Sequence, residues 1–272
     1  MTTTRQVVEV QVDHADAELA ADVLWQGAPS AVGEENLGDG RVRLTADVID
    51  PGVLDELPPG AVVTILELDG ADYLDRWRAF ATPARAGRNV VIQPAWIPVA
   101  ETVPTDLVVL IDPGRTFGSG SHPTTRLVIA AIEEHLREGD RVLDVGAGSG
   151  VLAVVACLLG ASTALAIDID PQAVEVTEAN ALSNGVEDRV TVLTTPLADL
   201  RGAFEMVVAN IGAAVVCDLA DALLARLASG GVLILAGILD SQADQVVYDF
   251  GAVGEWTRCS EDGWTALVLA SR

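Results

Sequence analysis

The run Val142-Leu143-Asp144-Val145-Gly146-Ala147-Gly148-Ser149-Gly150 decides the fold. A short buried strand leads into three glycines, and the apolar stretch from Gly150 to Leu159 then reads as a helix. A second apolar run, Ala164 to Ile169, is a parallel strand with Asp168 at its carboxyl end, 22 residues beyond Gly146. This βαβ pattern is how an α/β protein holds an adenosine-containing ligand. Backbone in the turn approaches the ligand where a side chain would collide, and the carboxylate accepts hydrogen bonds from both ribose hydroxyls. A dinucleotide site needs G-x-G-x-x-G, with the third glycine placed for close helix packing. Here the third glycine comes one residue early, and Val151 is branched where that pattern wants Gly or Ala. A turn serving only helix packing is the alternative for the glycines alone; Asp168 argues against it. Asp144 is a second carboxylate at the turn, and it either faces the ligand or organises the turn.

Outward from this unit, strands and helices alternate as a parallel sheet covered on both faces requires. Pro171 starts a helix that runs to Ser183 and stops at Asn184-Gly185, with proline in the first turn and glycine past the end. Val190–Thr194, Phe204–Ala209 and Gly231–Ala236 read as further strands, Ala213–Ala228 as one helix stopped by Gly230-Gly231, and Trp264–Ala270 as a closing strand. The expected fold class is α/β, a doubly wound, mostly parallel Rossmann-like sheet, preceded by a small α+β domain. In that domain Val7–Val12, Arg41–Ala46 and Ala61–Leu68 read as strands and Asp16–Gln26 as a helix. Ala71–Phe80, carrying Tyr73 and Trp77, reads as a short helix, followed by an extended segment punctuated by Pro83, Pro94, Pro98 and Pro104. The expected domains are 1–70, a linking helix and proline-rich stretch over 71–104, and 105–272.

Half of the 272 residues are hydrophobic, enough to bury a full core. The formal net charge is −24, from 40 acidic and 16 basic residues, and every basic residue other than histidine is arginine. Such a surface repels nucleic acid, whose binding relies on cationic side chains displacing counterions. It attracts a lysine-rich protein, and it also serves plain solubility. Cys157, Cys217 and Cys259 are scattered and odd in number, which points to a reducing cytoplasm and away from disulfides or a metal site. The first residues lack an apolar signal core, and the apolar stretch from Gly150 to Ile167 is broken by Gly160-Ala161-Ser162-Thr163, so a membrane span is not expected.

Two further stretches carry chemistry. Phe117-Gly118-Ser119-Gly120-Ser121-His122-Pro123-Thr124-Thr125 is a glycine loop entering a helix with Leu127, Ala131 and Leu136 on its apolar face. Free amides and hydroxyls at that helix start suit an anionic group such as a carboxylate. His122 is either a base or the residue that caps the helix and anchors the loop. Val208-Ala209-Asn210-Ile211-Gly212 ends a strand bordering the ligand crevice, where Asn210 offers both a carbonyl acceptor and an amide donor. A simple turn residue is the alternative.

The G-x-G-x-G turn after an acidic strand end resembles the first motif of the S-adenosylmethionine-dependent methyltransferases. Taken together, FGSGSHPTT (117–125), VLDVGAGSG (142–150), AIDIDPQAVEVTEANALSNGV (166–186), VVANI (207–211) and GGVLILAGILDSQ (230–242) resemble the PrmA-type methyltransferases of large-subunit ribosomal protein eleven. The similarity extends over 71–272, including the Trp77 helix and Pro94-Ala95-Trp96. FGSGSHPTT is specific to that family; the glycine turn alone marks only the superfamily. The resemblance implies S-adenosylmethionine as cofactor, contacts to it at Thr125, Gly146, Asp168 and Asn210, and transfer of methyl groups to lysine and N-terminal amines of a basic ribosomal protein. It also implies a ferredoxin-like N-terminal domain that presents this substrate. Two departures are visible. Residues 51–57 allow only about two turns of the second helix a ferredoxin-like domain needs, and Gly212 stands where a larger apolar residue is usual. A same-fold methyltransferase acting on another protein or a small amine, and a non-catalytic cofactor-binding module, stay open at this point. The Asn-Pro-Pro-aromatic clamp used on planar base nitrogens is absent, which speaks against a nucleic-acid base as acceptor. Because the cofactor brings its own leaving group, no indispensable general base is expected, and Asn210 is expected to orient the amine.

Overall fold

The chain divides between residues 81 and 82 into two units, Met1–Ala81 and Thr82–Arg272. The structure, a computed structural model, describes residues 4–27, 32–46, 51–69, 81–99, 102–114 and 116–270. The helix expected over Ala71–Phe80, with Tyr73 and Trp77, lies outside the described residues.

In the first unit, β1 (Thr4–Asp13), α1 (Ala17–Gly27), β2 (Val32–Asn36), β3 (Arg41–Ala46) and β4 (Val62–Asp69) form an antiparallel sheet of order β2-β3-β1-β4 backed by the helix. Alternation along β1 and β3 puts Val8, Val10, Val12, Val42, Leu44 and Ala46 on one face, where they meet Ala17, Ala20 and Leu24 of α1. This is the ferredoxin-like strand order, with the second helix reduced to the six-residue 3-10 segment Pro51–Glu56. The Pro58-Pro59-Gly60 run that follows ends it. With so little cover, Val63 and Ile65 stay 39% and 53% exposed, although they pair with the buried Val10 and Val8 and so share their face. Strand β2 escaped the sequence reading because VGEEN offers no alternating apolar pattern; it forms by pairing with β3 across a short turn.

The second unit contains β5 (Ala84–Ala86), β6 (Val90–Pro94), β7 (Leu107–Ile111), α2 (Pro123–His135), β8 (Arg141–Val145), α3 (Val151–Leu158), β9 (Thr163–Ile167), α4 (Pro171–Ser183), β10 (Val190–Leu193), β11 (Phe204–Asn210), α5 (Ala213–Asp218), α6 (Ala220–Arg226), β12 (Leu227–Leu239), α7 (Ala243–Phe250), β13 (Trp256–Glu261) and β14 (Trp264–Ala270). Its main sheet has the order β10-β9-β8-β11-β12-β14-β13. The first five strands run parallel, and β14 is antiparallel to both neighbours. From β8 the chain steps outward through β9 and β10, then returns to β11 on the other side. The crevice between the carboxyl ends of β8 and β11 is therefore the switch point at which such sheets bind ligands. Along β8, Val142 and Asp144 face α3 while Leu143 and Val145 face the opposite core.

Strands β7 and β13 and helix α7 were not expected from the sequence, and two regions differ from what was expected. The proline-punctuated stretch is not merely extended. Residues 84–86 and 90–94 are strands that join β7 in a separate three-stranded sheet, antiparallel between β5 and β6 and parallel between β6 and β7. Val90, Ile92, Val109 and Ile111 of this sheet share a core with α2 and α3. The single helix expected over 213–228 breaks at Leu219, and residues from Leu227 belong to β12, so Gly230-Gly231 lies within a strand. An irregularity in the β11–β12 register absorbs these residues.

Candidate functional site

The glycine turn leaves β8 with the Gly146 and Ala147 N–H groups donating to Ile167 O at 2.9 and 3.1 Å. One step later Gly148 N–H donates to Asp168 Oδ2 at 2.8 Å, while Asp170 N–H donates to Asp168 Oδ1 at 2.9 Å. The acid at the end of β9 therefore fastens the turn. A carboxylate has about four acceptor sites, so the part-exposed Asp168 keeps capacity for a ligand's hydroxyls. Gly146 has φ +76°, and a Cβ there would run into the Ile211 side chain. Gly148 has φ +53°, and its Cβ would sit 2.6 Å from Phe117 O. Both positions demand the missing side chain, for backbone conformation and for space.

Helix α3 begins after Gly150, which has no side chain to cap it. Ser149 Oγ accepts from Val151 N–H at 3.3 Å, and Asp144 Oδ2 accepts from Ala153 N–H at 3.2 Å, satisfying amides the first turn would leave open. Of the two roles open to Asp144, these contacts support organising the turn. It is fully buried, its Oδ1 has no partner, and burial above all pushes its pKa up to about 7, with the Asp168 charge adding to the rise.

The 117–125 loop roofs the turn. Ser149 N–H donates to Phe117 O at 2.9 Å and Ser149 Oγ to Gly118 O at 2.7 Å. At its far end His122 is the N-cap of α2: Nδ1 accepts from Thr124 N–H at 3.3 Å and lies 2.8 Å from Thr124 Oγ1. The imidazole meets Phe117 and Trp264 edge-on, with centroids 5.6 and 5.0 Å away. Burial, helped by the Arg126 charge, holds it down to a pKa of about 4, so it is neutral near pH 7. Arg126 donates to Ser121 O and, at 3.0 and 2.6 Å, to Glu261 Oε1, tying the loop to the β13–β14 turn. Thr125 is buried in the first turn of α2 and its Oγ1 has no partner. Asn210 ends β11, beside the Ile211 that abuts Gly146, and its Oδ1 is likewise buried without a partner. Buried oxygens left unsatisfied are costly and uncommon, and three of them sit on the elements that frame this crevice.

The two shifted groups have opposite effects on stability. Between pH 6.5 and 4 the unfolded chain protonates His122 and the folded chain does not, so stability falls as pH falls through that range. Between 3.8 and 7 the folded chain keeps a proton on Asp144 that the unfolded chain has lost, so stability falls as pH rises. Between pH 4 and 6.5 these two contributions therefore oppose each other, and removing either one should tilt the profile relative to the unmodified protein. Asp144→Asn should lose stability only toward acid, whereas His122→Asn, which keeps a capping oxygen, should lose it only toward neutral pH. Superimposable profiles for all three would refute both assignments.

Sequence reasoning passed over Thr177 and Asn180. Thr177 Oγ1 donates to Gly148 O at 3.2 Å, and Asn180 Nδ2 donates to Ser149 O at 2.9 Å. The available signal was their spacing: Thr177 and Asn180 on the buried face of α4 and Asn184 at its C-cap place polar groups at three- and four-residue intervals. Among the described residues, no group of three or more His, Cys, Asp or Glu could hold a metal ion.

Residues 52–272 match the model of the family described as ribosomal protein L11 methyltransferase (PrmA). The chain is 46% identical over 212 residues to the ribosomal protein L11 methyltransferase of Geobacter sulfurreducens, covering 77% of this chain and 69% of that protein. It is 39% identical over 254 residues to the corresponding protein of Pelotomaculum thermopropionicum, covering 88% and 82%. The crystal structure of ribosomal protein L11 methylase from Lactobacillus delbrueckii subsp. bulgaricus superposes with a TM-score of 0.65 at 29% identity, over 71% of this chain and all of that one.

Proposed function

The chain belongs to the ribosomal protein L11 methyltransferase family, and on that premise we propose that it transfers methyl groups from S-adenosylmethionine to lysine and N-terminal amines of that ribosomal protein. The observation that carries this reading is the buried, unpartnered Oδ1 of Asn210 at the crevice. An acceptor in that state awaits an N–H donor, and an amine or the cofactor's own ammonium supplies one.

The residues fit the cofactor. Thr125, Gly146, Asp168 and Asn210 would hold it: two of them through oxygens otherwise unsatisfied, Gly146 through absent bulk, and Asp168 through its remaining acceptor sites. When bound, the cofactor supplies a methyl group on a sulfonium centre whose leaving group is a neutral thioether. Alignment and exclusion of water remain for the protein. The amine must arrive neutral, although the ordinary pKa of a lysine amine is about 10.4. A roofed crevice disfavours its charged form, and Asn210 Oδ1 can hold one N–H so that the lone pair faces the methyl group. His122, with Nδ1 engaged at the helix start, acts as an anchor rather than as a base.

The acidic, lysine-free chain suits a basic partner, and its first unit is the part we assign to presenting that partner. Free Cys157, Cys217 and Cys259 agree with a reducing cytoplasm. No helix among the described residues is long and apolar enough to cross a membrane. Incubation with isotope-labelled cofactor and purified large-subunit proteins tests the proposal, with label expected on lysine and N-terminal amines of ribosomal protein L11. Label on a different protein would replace the acceptor, and none on any protein would remove the enzymatic reading.

A further inference from the structure

We propose that Asn180 is a positioning residue for the cofactor turn, clamping Ser149 and Asp112, the residue that follows β7, to one point on α4. The proposal rests on the reading that this turn holds the cofactor. Asn180 is 2% exposed. Its Nδ2 donates to Asp112 O at 3.0 Å and to Ser149 O at 2.9 Å, while its Oδ1 accepts from Asp112 N–H at 2.9 Å. Both of its donors are thus used, one on the glycine turn and one on the end of β7, from which the chain runs on toward the roofing loop.

Asn184 shows what the clamp would be without the turn. Its Oδ1 accepts from Leu110 N–H at 2.9 Å, and its Nδ2 donates to Leu110 O and Asn180 O, both at 2.7 Å. The pair works because the geometries match. Four residues of helix rise about 6 Å, and two residues of strand rise about 6.6 Å, so amides at 180 and 184 meet backbone at 112 and 110. Asn184 serves the same strand edge but makes no bond to the turn.

Ser149 links the two sides. Its carbonyl is held by Asn180, its N–H by Phe117 O and its hydroxyl by Gly118 O. Thr177, one turn before Asn180, holds the neighbouring Gly148 carbonyl. The spacing between turn and roof is therefore set from α4, whose own start is fixed by Asp170 as N-cap, two residues beyond Asp168. Losing Asn180 removes three bonds at once, one to Ser149 O and two to the backbone of Asp112, and the turn loses its tie to the end of β7.

The test compares Asn180→Ala, Asn180→Asp and Asn184→Ala in the full chain, by thermal unfolding, by calorimetric titration with S-adenosylmethionine, and by steady-state kinetics. Asn180→Ala should raise the cofactor dissociation constant about tenfold to a hundredfold, the scale of one or two buried hydrogen bonds, with kcat at saturating cofactor within about threefold of the unmodified protein. Asn180→Asp keeps the acceptor for Asp112 N–H but turns an oxygen toward two carbonyls, so it should bind cofactor no better than the alanine variant, and it stands in if that one fails to fold. Asn184→Ala should lose comparable thermal stability with affinity within about twofold. Unchanged affinity on replacing Asn180, or equal losses at 180 and 184, would overturn the assignment. If the unmodified protein itself fails to bind S-adenosylmethionine, the reading of the turn falls with it.

Discussion

Replacing Asp168 with alanine should raise the cofactor dissociation constant more than a hundredfold while leaving the fold intact. Two effects add. The ribose hydroxyls lose a charged acceptor, and hydrogen bonds to charged groups contribute about 1.5–3 kcal/mol each. The Gly148 and Asp170 amides, which Asp168 now holds at 2.8 and 2.9 Å, are released, so the turn loses its tie to β9 as well. Stability should fall by only about 1 kcal/mol, because the carboxylate is part-exposed and water can replace it. Asp168→Asn separates the two effects: with one acceptor oxygen instead of two it should bind cofactor with intermediate strength. Calorimetric titration alongside thermal unfolding checks both variants. Alanine-variant affinity equal to that of the unmodified protein would sink the role assigned to this residue.

Gly148→Ala should be the most damaging single-methyl change in the turn. At φ +53° an alanine pays roughly 1–2 kcal/mol for its backbone conformation. The added methyl also meets the Phe117 carbonyl at 2.6 Å, and backbone cannot swing aside as a flexible side chain would. The roof must lift, Ser149 N–H then loses Phe117 O, and Gly148 N–H shifts from Asp168. We expect a midpoint lowered by roughly 3–10 °C and no measurable cofactor binding. Gly212→Ala is the matched control: φ there is −56° and no atom lies within 4 Å of the new methyl. It should leave the midpoint within about 2 °C and cofactor affinity unchanged. A Gly148 variant that behaves like the Gly212 variant would show that the turn tolerates bulk and does not cradle a ligand.

The parallel strands of the central sheet were legible because strands buried on both faces are written as unbroken apolar runs, and the punctuation at Pro171, Asn184 and Gly185 sits where backbone chemistry requires it; the mostly exposed edge strand β13 was not. The same logic exposed the reduced second helix of the first unit, since two proline-bearing segments leave room for only six residues between them. What escaped notice depends on partners remote in sequence. Strands β5 and β6 are too short and too close to prolines to declare themselves, and they exist because β7 pairs with one of them. At the site, Asp168 could be read from its distance to Gly146, since a local βαβ unit fixes that geometry. Asn180 and Ser149 could not, because their roles lie in side-chain bonds to Asp112 and Gly118, more than 30 residues away. The unpaired oxygens of Thr125 and Asn210 follow only from knowing what surrounds them.

The Asn180–Asn184 pair has a consequence for how the molecule behaves in company. Strand β7 is the outer member of its three-stranded sheet, and an outer strand with open N–H and C=O groups is a template on which a foreign strand can nucleate. Two side-chain amides occupy those groups at Leu110 and Asp112, doing for the sheet what a fourth strand would do. Side chains from α4 and its C-cap thereby occupy part of this edge without adding a strand.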